Sequence, residues 1–113
     1  LERLASSFGG GAEGWGFVRE LIDAFLEEAP EYLATLRRAV EEGDAGEARR
    51  AAHTLKSNGA TFGAGAFTQV CGELEALSSR GELGDASALV ERAELEWQRA
   101  REALDRIGQA GPG

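Results

Sequence analysis

Apolar residues recur at steps of three and four along almost the whole chain, and nowhere do they alternate for the length of a strand. Val18, Leu21, Ile22, Phe25, Ala29, Leu33, Leu36 and Val40 form one such series, which passes through Pro30 without losing phase. Proline removes a backbone donor and crowds the preceding turn. The pattern therefore predicts one long helix kinked near Pro30, with a break into two helices as the alternative. Gly43 ends it. Asp44-Ala45-Gly46-Glu47 then reads as an N-cap with a capping-box partner, opening a second helix.

That helix carries Ala48, Ala51, Ala52, Leu55, Gly59 and Phe62 as one stripe and ends near Phe62, before Gly63-Ala64-Gly65. A third presents Phe67, Val70, Cys71, Leu74 and Leu77 and stops around Ser79-Arg80-Gly81. Asp85 is a good cap for a fourth, where Ala86, Val90, Ala93, Trp97, Ala100, Leu104 and Ile107 alternate steps of four and three. Four amphipathic helices joined by short Gly/Asp loops predict an all-α fold, an antiparallel up-down-up-down four-helix bundle. The bundle takes residues 15–107, and 108–113 reads as a C-terminal linker. In the lead-in, residues 1–14, Leu1, Leu4 and Phe8 share one side before Gly9-Gly10-Gly11, so a flexible segment and a short extra N-terminal helix are both open.

Composition removes several classes of function. A chain of 113 residues makes one domain with one core. Its net charge of −8 argues against a nucleic-acid surface or contact with an anionic membrane, which need a concentrated basic face. The single cysteine, Cys71, forms no internal disulfide and falls on an apolar stripe, so it reads as a buried, unreactive thiol in a reducing compartment. No apolar run approaches the ~20 residues of a membrane span, and no signal-peptide pattern is present. The chain starts at Leu1, contains no methionine and ends Gly111-Pro112-Gly113, and so reads as a fragment of a larger protein.

The only histidine, His53, and the only lysine, Lys56, stand three residues apart on the second helix. His53 projects roughly 150° from the centre of the apolar stripe, toward solvent. Lys56 at i+3 and Arg49 at i−4 lie one turn to either side, where side chains meet. Ser57, Ala60 and Ala64, further along, are all small. An unperturbed imidazole titrates at about 6.5, so much of it is a neutral nucleophile at neutral pH. Neighbouring cations favour the neutral ring and stabilise a phosphoryl group carried on it. Small neighbours let another protein bring a reacting atom to the nitrogen.

Other chemistries lack their residues. There is no Gly-rich phosphate loop, Walker pattern or kinase-type nucleotide motif. A lone histidine without a second histidine or a cysteine pair is a poor metal site. A serine–histidine–acid triad lacks its strained nucleophile turn. The residues imply no metal and no cofactor.

Ala52-His53-Thr54-Leu55-Lys56-Ser57-Asn58-Gly59-Ala60-Thr61-Phe62-Gly63-Ala64 resembles the signature of histidine-containing phosphotransfer (HPt) domains of two-component phosphorelays, which are largely bacterial. The common form is H-x-L-K-G-[SA]-x-x-x-x-G-A. Phe25-Leu26-Glu27-Glu28-Ala29-Pro30 with Leu33 and Leu36, Gly43-Asp44, and Cys71-Gly72-Glu73-Leu74-Glu75 also fall where that family has them, so the resemblance spans about residues 15–107. This chain departs at position 57, Ser where Gly is frequent.

The resemblance implies that His53 is phosphorylated, that Lys56 neutralises the phosphoryl charge, and that Glu75, 22 residues on, orients the imidazole through its other nitrogen. Arg49 joins Lys56 as a phosphate-stabilising candidate on helical geometry alone. Ser57, Ala60, Gly63 and Ala64 are the small residues that admit a partner. The expected function is a phosphorelay intermediate, a carrier without an ATP site of its own, taking a phosphoryl group from one receiver-domain aspartate and passing it to another. Two alternatives stand beside it: an HPt domain of a chemotaxis-type kinase, phosphorylated directly by a kinase catalytic domain, and a helical docking module without phosphotransfer. The expected partners are response-regulator receivers and a histidine kinase. The domain is expected to be a cytoplasmic monomer, free-standing or part of a membrane-bound hybrid kinase.

Overall fold

Each of the four apolar series folds as a helix. The computed structural model describes residues 11–110: α1 (Gly11–Glu42), α2 (Ala45–Thr61), α3 (Gly65–Ser79) and α4 (Ala86–Ala110). The expected grouping of Leu1, Leu4 and Phe8 lies outside the described residues.

Helix α1 runs unbroken through Pro30, so the alternative of two helices does not hold. Pro30 is exposed, so its ring stands on the solvent side of the helix. The helix starts four residues before Trp15, through Gly14 and Gly16. Each glycine costs a helix about 1 kcal/mol relative to alanine, but Gly14 is buried, and packing overrides propensity there. At the other end α4 continues past Ile107 to Ala110.

The first three helices end in the same way. Gly43, Gly63 and Gly81 adopt φ of 73°, 71° and 71°, a left-handed turn that side chains with a Cβ resist. At the first, the Gly43 N–H donates to Val40 O at 3.2 Å and the Asp44 N–H to Ala39 O at 2.8 Å. That second bond corrects the expected capping box. Asp44 Oδ1 does accept from the Glu47 N–H at 3.1 Å. The Asp44 N–H, however, already serves the end of α1, so the Glu47 side chain turns away and takes Arg38 Nη2 at 2.8 Å.

Tight turns make successive helices antiparallel neighbours. Contacts join α1 to α2, α2 to α3, α3 to α4 and α4 back to α1, which closes the four-helix bundle. Its long dimension is 47 Å, about the length of α1 at 1.5 Å per residue. The shorter α2–α3 hairpin covers only part of that length. Its level is fixed by an aromatic cluster with one ring from each quarter of the bundle. Phe25 of α1 stacks on Phe62 after α2 at 4.9 Å between centroids, and meets Trp97 of α4 edge-on at 5.0 Å. Phe67 of α3 lies 5.9 Å from Trp97. On the far side of the bundle from α2 and α3, Arg37 Nε donates to Glu94 Oε2 at 2.8 Å and ties α1 to α4. Among the described residues no helix is long and apolar enough to cross a membrane.

Candidate functional site

The inner face of α2 is built from small residues: Ala48, Ala51, Ala52 and Gly59 are buried beside Leu55. Such a face lets α3 come close. A Cβ added at Gly59 would stand 2.6 Å from Thr68 Oγ1 and 3.0 Å from Phe67 Cδ2. Thr68 is itself fixed, its hydroxyl donating to Ala64 O at 2.8 Å. Close approach of the two backbones brings the outer edge of α3 within reach of side chains leaving the outer face of α2.

His53 leaves that outer face with 57 % of its side chain exposed. Its Nδ1 lies 2.7 Å from Glu75 Oε2, across the interhelical groove. The other oxygen of Glu75 receives Lys56 Nζ at 2.5 Å. The Lys56 stem passes over Gly72 of α3, where an added Cβ would already stand 3.5 Å from Cδ. Glu75 is the most sheltered of the three side chains, at 19 % exposed. The hydrogen bond from Lys56 holds its carboxyl below the usual range, against the opposing effect of desolvation and with further help from His53.

An ionised carboxylate only accepts hydrogen bonds. The proton between Glu75 and His53 therefore belongs to Nδ1, and the neutral ring has its lone pair on Nε2, the nitrogen away from Glu75. Three residues from two helices thus leave the ring with one free, basic nitrogen, while the ammonium group of Lys56 is held on the same carboxylate.

The remaining candidates are placed differently. Arg49 is exposed and makes no contact with Glu75; it lines a cleft of about 640 Å³ with Ala45, Gly46 and Ser78 to Gly81, between the start of α2 and the end of α3. Ser57 and Ala60 are exposed on the His53 face, toward the other end of α2. Gly63 is exposed but serves the backbone first, through its positive φ. Ala64 is half-buried against the core as the residue that starts α3. Gly72 escaped the reading of periodicity, because nothing in a helical repeat marks the residue over which a lysine from another helix will lie. Cys71 faces the core, where burial pushes its thiol up to about 12. Among the described residues no three His, Cys, Asp or Glu side chains gather as a metal cage.

Comparison with known proteins bears on this arrangement. The chain matches the family described as Hpt domain over residues 20–110. It is similar in structure to histidine-containing phosphotransfer protein B (HptB) from Pseudomonas aeruginosa PAO1, with a TM-score of 0.85 and 32 % sequence identity. That likeness covers 97 % of this chain and 94 % of the other. No curated protein matches the chain.

Proposed function

The chain belongs to the Hpt domain family, and from that premise we propose that His53 carries a phosphoryl group between the aspartates of two receiver domains. The observation that most supports this is the shared carboxylate: Glu75 holds Nδ1 of His53 with one oxygen and Lys56 with the other. In the proposed step the Nε2 lone pair attacks the phosphorus of an aspartyl phosphate. The bond from phosphorus to the carboxylate oxygen breaks, and its electron pair stays with the aspartate. The Nδ1 proton does not move. The ring becomes a phosphoimidazolium whose positive charge faces Glu75, and Lys56 stands ready for the phosphoryl oxygens. The second transfer reverses these events toward another receiver.

Catalysis here is positioning and charge. By resemblance, the receivers supply the magnesium and most of the reacting groups. The domain has no nucleotide motif of its own, so the phosphoryl group comes from a partner. The small, exposed Ser57 and Ala60 leave the His53 face open to a partner. All four apolar stripes face the inside of one bundle, which supports a monomer.

The test is to mix the domain with a receiver labelled at its aspartate, using wild type and His53→Gln side by side. Wild type should take up a label that is lost in acid and survives base, as phosphohistidine does. His53→Gln should take up none, with helical content and melting unchanged because the side chain is exposed. A label that survives the substitution would remove His53 from the mechanism. A label obtained from a histidine kinase with ATP, and from no receiver, would move the domain to the chemotaxis-type arrangement.

A further inference from the structure

The charge of this acidic protein is unevenly divided among its helices. Helix α1 carries eight acids against three cations, α3 two acids and no cation, and α4 five acids against four cations. Helix α2 alone is net positive, with Arg49, Arg50 and Lys56 against Glu47. Four of the acids around it are already engaged. Glu47 is held by Arg38 at 2.8 Å, Glu75 by Lys56 at 2.5 Å, and Glu73 stands 4.0 Å from Arg92. Asp44 Oδ1 takes the Glu47 amide. Arg49 and Arg50, by contrast, are exposed and have no acidic partner among the described residues. Arg49 opens onto the cleft between α2 and α3, whose other wall includes Arg80. Among the described residues Arg80 is tied only to its exposed neighbour Glu82, at 3.1 Å, a kind of pair that holds weakly in water. Toward the other end of α2 the same face is uncharged, through Ser57, Ala60 and Gly63.

We propose that Arg49 and Arg50, with the Arg80 side of the cleft, form a docking edge that meets the acidic rim of a receiver's active site. The inference rests on the phosphocarrier reading and adds to it an orientation and a kinetic role. A protein that accepts phosphoryl groups on an aspartate and binds magnesium beside it needs further carboxylates to hold that ion. Its reactive face is therefore acidic. Two unpaired guanidinium groups one turn from His53 attract that face while it is still at a distance, and they fix which way round it lands. The uncharged half of α2 meets the less polar part of the partner. Rim charges of this kind act mainly on the rate of association and its dependence on salt. They leave the chemistry at Nε2 to Lys56 and Glu75.

The experiment is single-turnover transfer from receiver domains of the source genome, labelled at the aspartate with acetyl phosphate, over a range of receiver concentration and salt. For the best receiver, Arg49→Glu with Arg50→Glu should raise the half-saturating concentration about tenfold or more. The saturating rate should change by less than about twofold. Raising salt should slow the wild type at low receiver concentration and have little effect on the charge-reversed protein. Arg49→Lys with Arg50→Lys should restore most of the wild-type behaviour, since the charge is kept. The proposal is overturned if half-saturation and salt response are unchanged. It is equally overturned if only the saturating rate falls, for then these arginines act on the phosphoryl group itself. Absence of label on the wild type with every receiver would overturn the phosphocarrier reading, and the docking edge with it.

Discussion

Glu75→Gln removes a charge and leaves the size of the side chain almost unchanged, yet an amide facing Nδ1 can donate as well as accept. The ring then no longer has one preferred tautomer, and part of it presents a protonated Nε2. Transfer from a labelled receiver should slow by roughly tenfold, the lower end of what losing a partner that orients a histidine costs elsewhere. Nitrogen-15 spectra of the imidazole should pass from mainly the Nδ1–H form to a mixture; an unchanged tautomer would mean that Glu75 does not set it. The same contacts fix a pH window. Because the Glu75 carboxyl is held below its ordinary value of 4.5, its links to Lys56 and His53 are fully present above that value. They are lost only as the pH falls through the lower, folded-state value. A carboxyl carbon titration should place the Glu75 midpoint below 4.5.

At the level of the helices, the junction of α2 with α3 is the demanding one. Gly59→Ala would normally strengthen a helix by about 1 kcal/mol. Here the new methyl collides with Thr68 and Phe67, and overpacking of that kind costs about 1–3 kcal/mol. We expect net destabilisation in urea, and slower phosphotransfer because α3 carries Glu75 away from His53 as it yields. A neutral or stabilised Gly59→Ala would show that the helices can part without cost. The four helices and the stripe of α2 were legible because an apolar series at helical spacing needs no knowledge of partners. Less legible was anything decided between helices. The chain begins its first described helix among glycines that a sequence reading treats as breakers, and of these Gly14 is buried. On α3 the sequence puts Leu77 inward, whereas Ser78 is the buried residue and Leu77 only half so. The Ser78 hydroxyl has no hydrogen-bond partner there, and no local pattern announces that. The site divides in the same way. His53 and Lys56 are helical neighbours and could be paired by counting. Glu75 was placed only through a family resemblance, and Gly72 beneath the lysine was given no role at the site.

Across the whole molecule the aromatic cluster is the part that all four helices share. Trp97 is buried and touches both Phe25 and Phe67. Trp97→Ala should cost about 3–5 kcal/mol, a large share of the 5–15 kcal/mol or so that a domain of this kind has in total. Thermal melting should fall steeply and phosphotransfer should decline in step with the folded fraction; a variant that melts like wild type would show that the rings are not the clamp described. One further residue belongs to this scale. Cys71, next in sequence to Gly72, is a free, buried thiol with its ionisation pushed up to about 12. In the closed bundle it is out of reach of a modifying reagent and too little ionised to react with one. The protein therefore carries a built-in clock: the pace at which an added disulfide reagent captures this sulfur counts the moments when the bundle opens around the third helix, the helix that also carries Glu75 to the histidine.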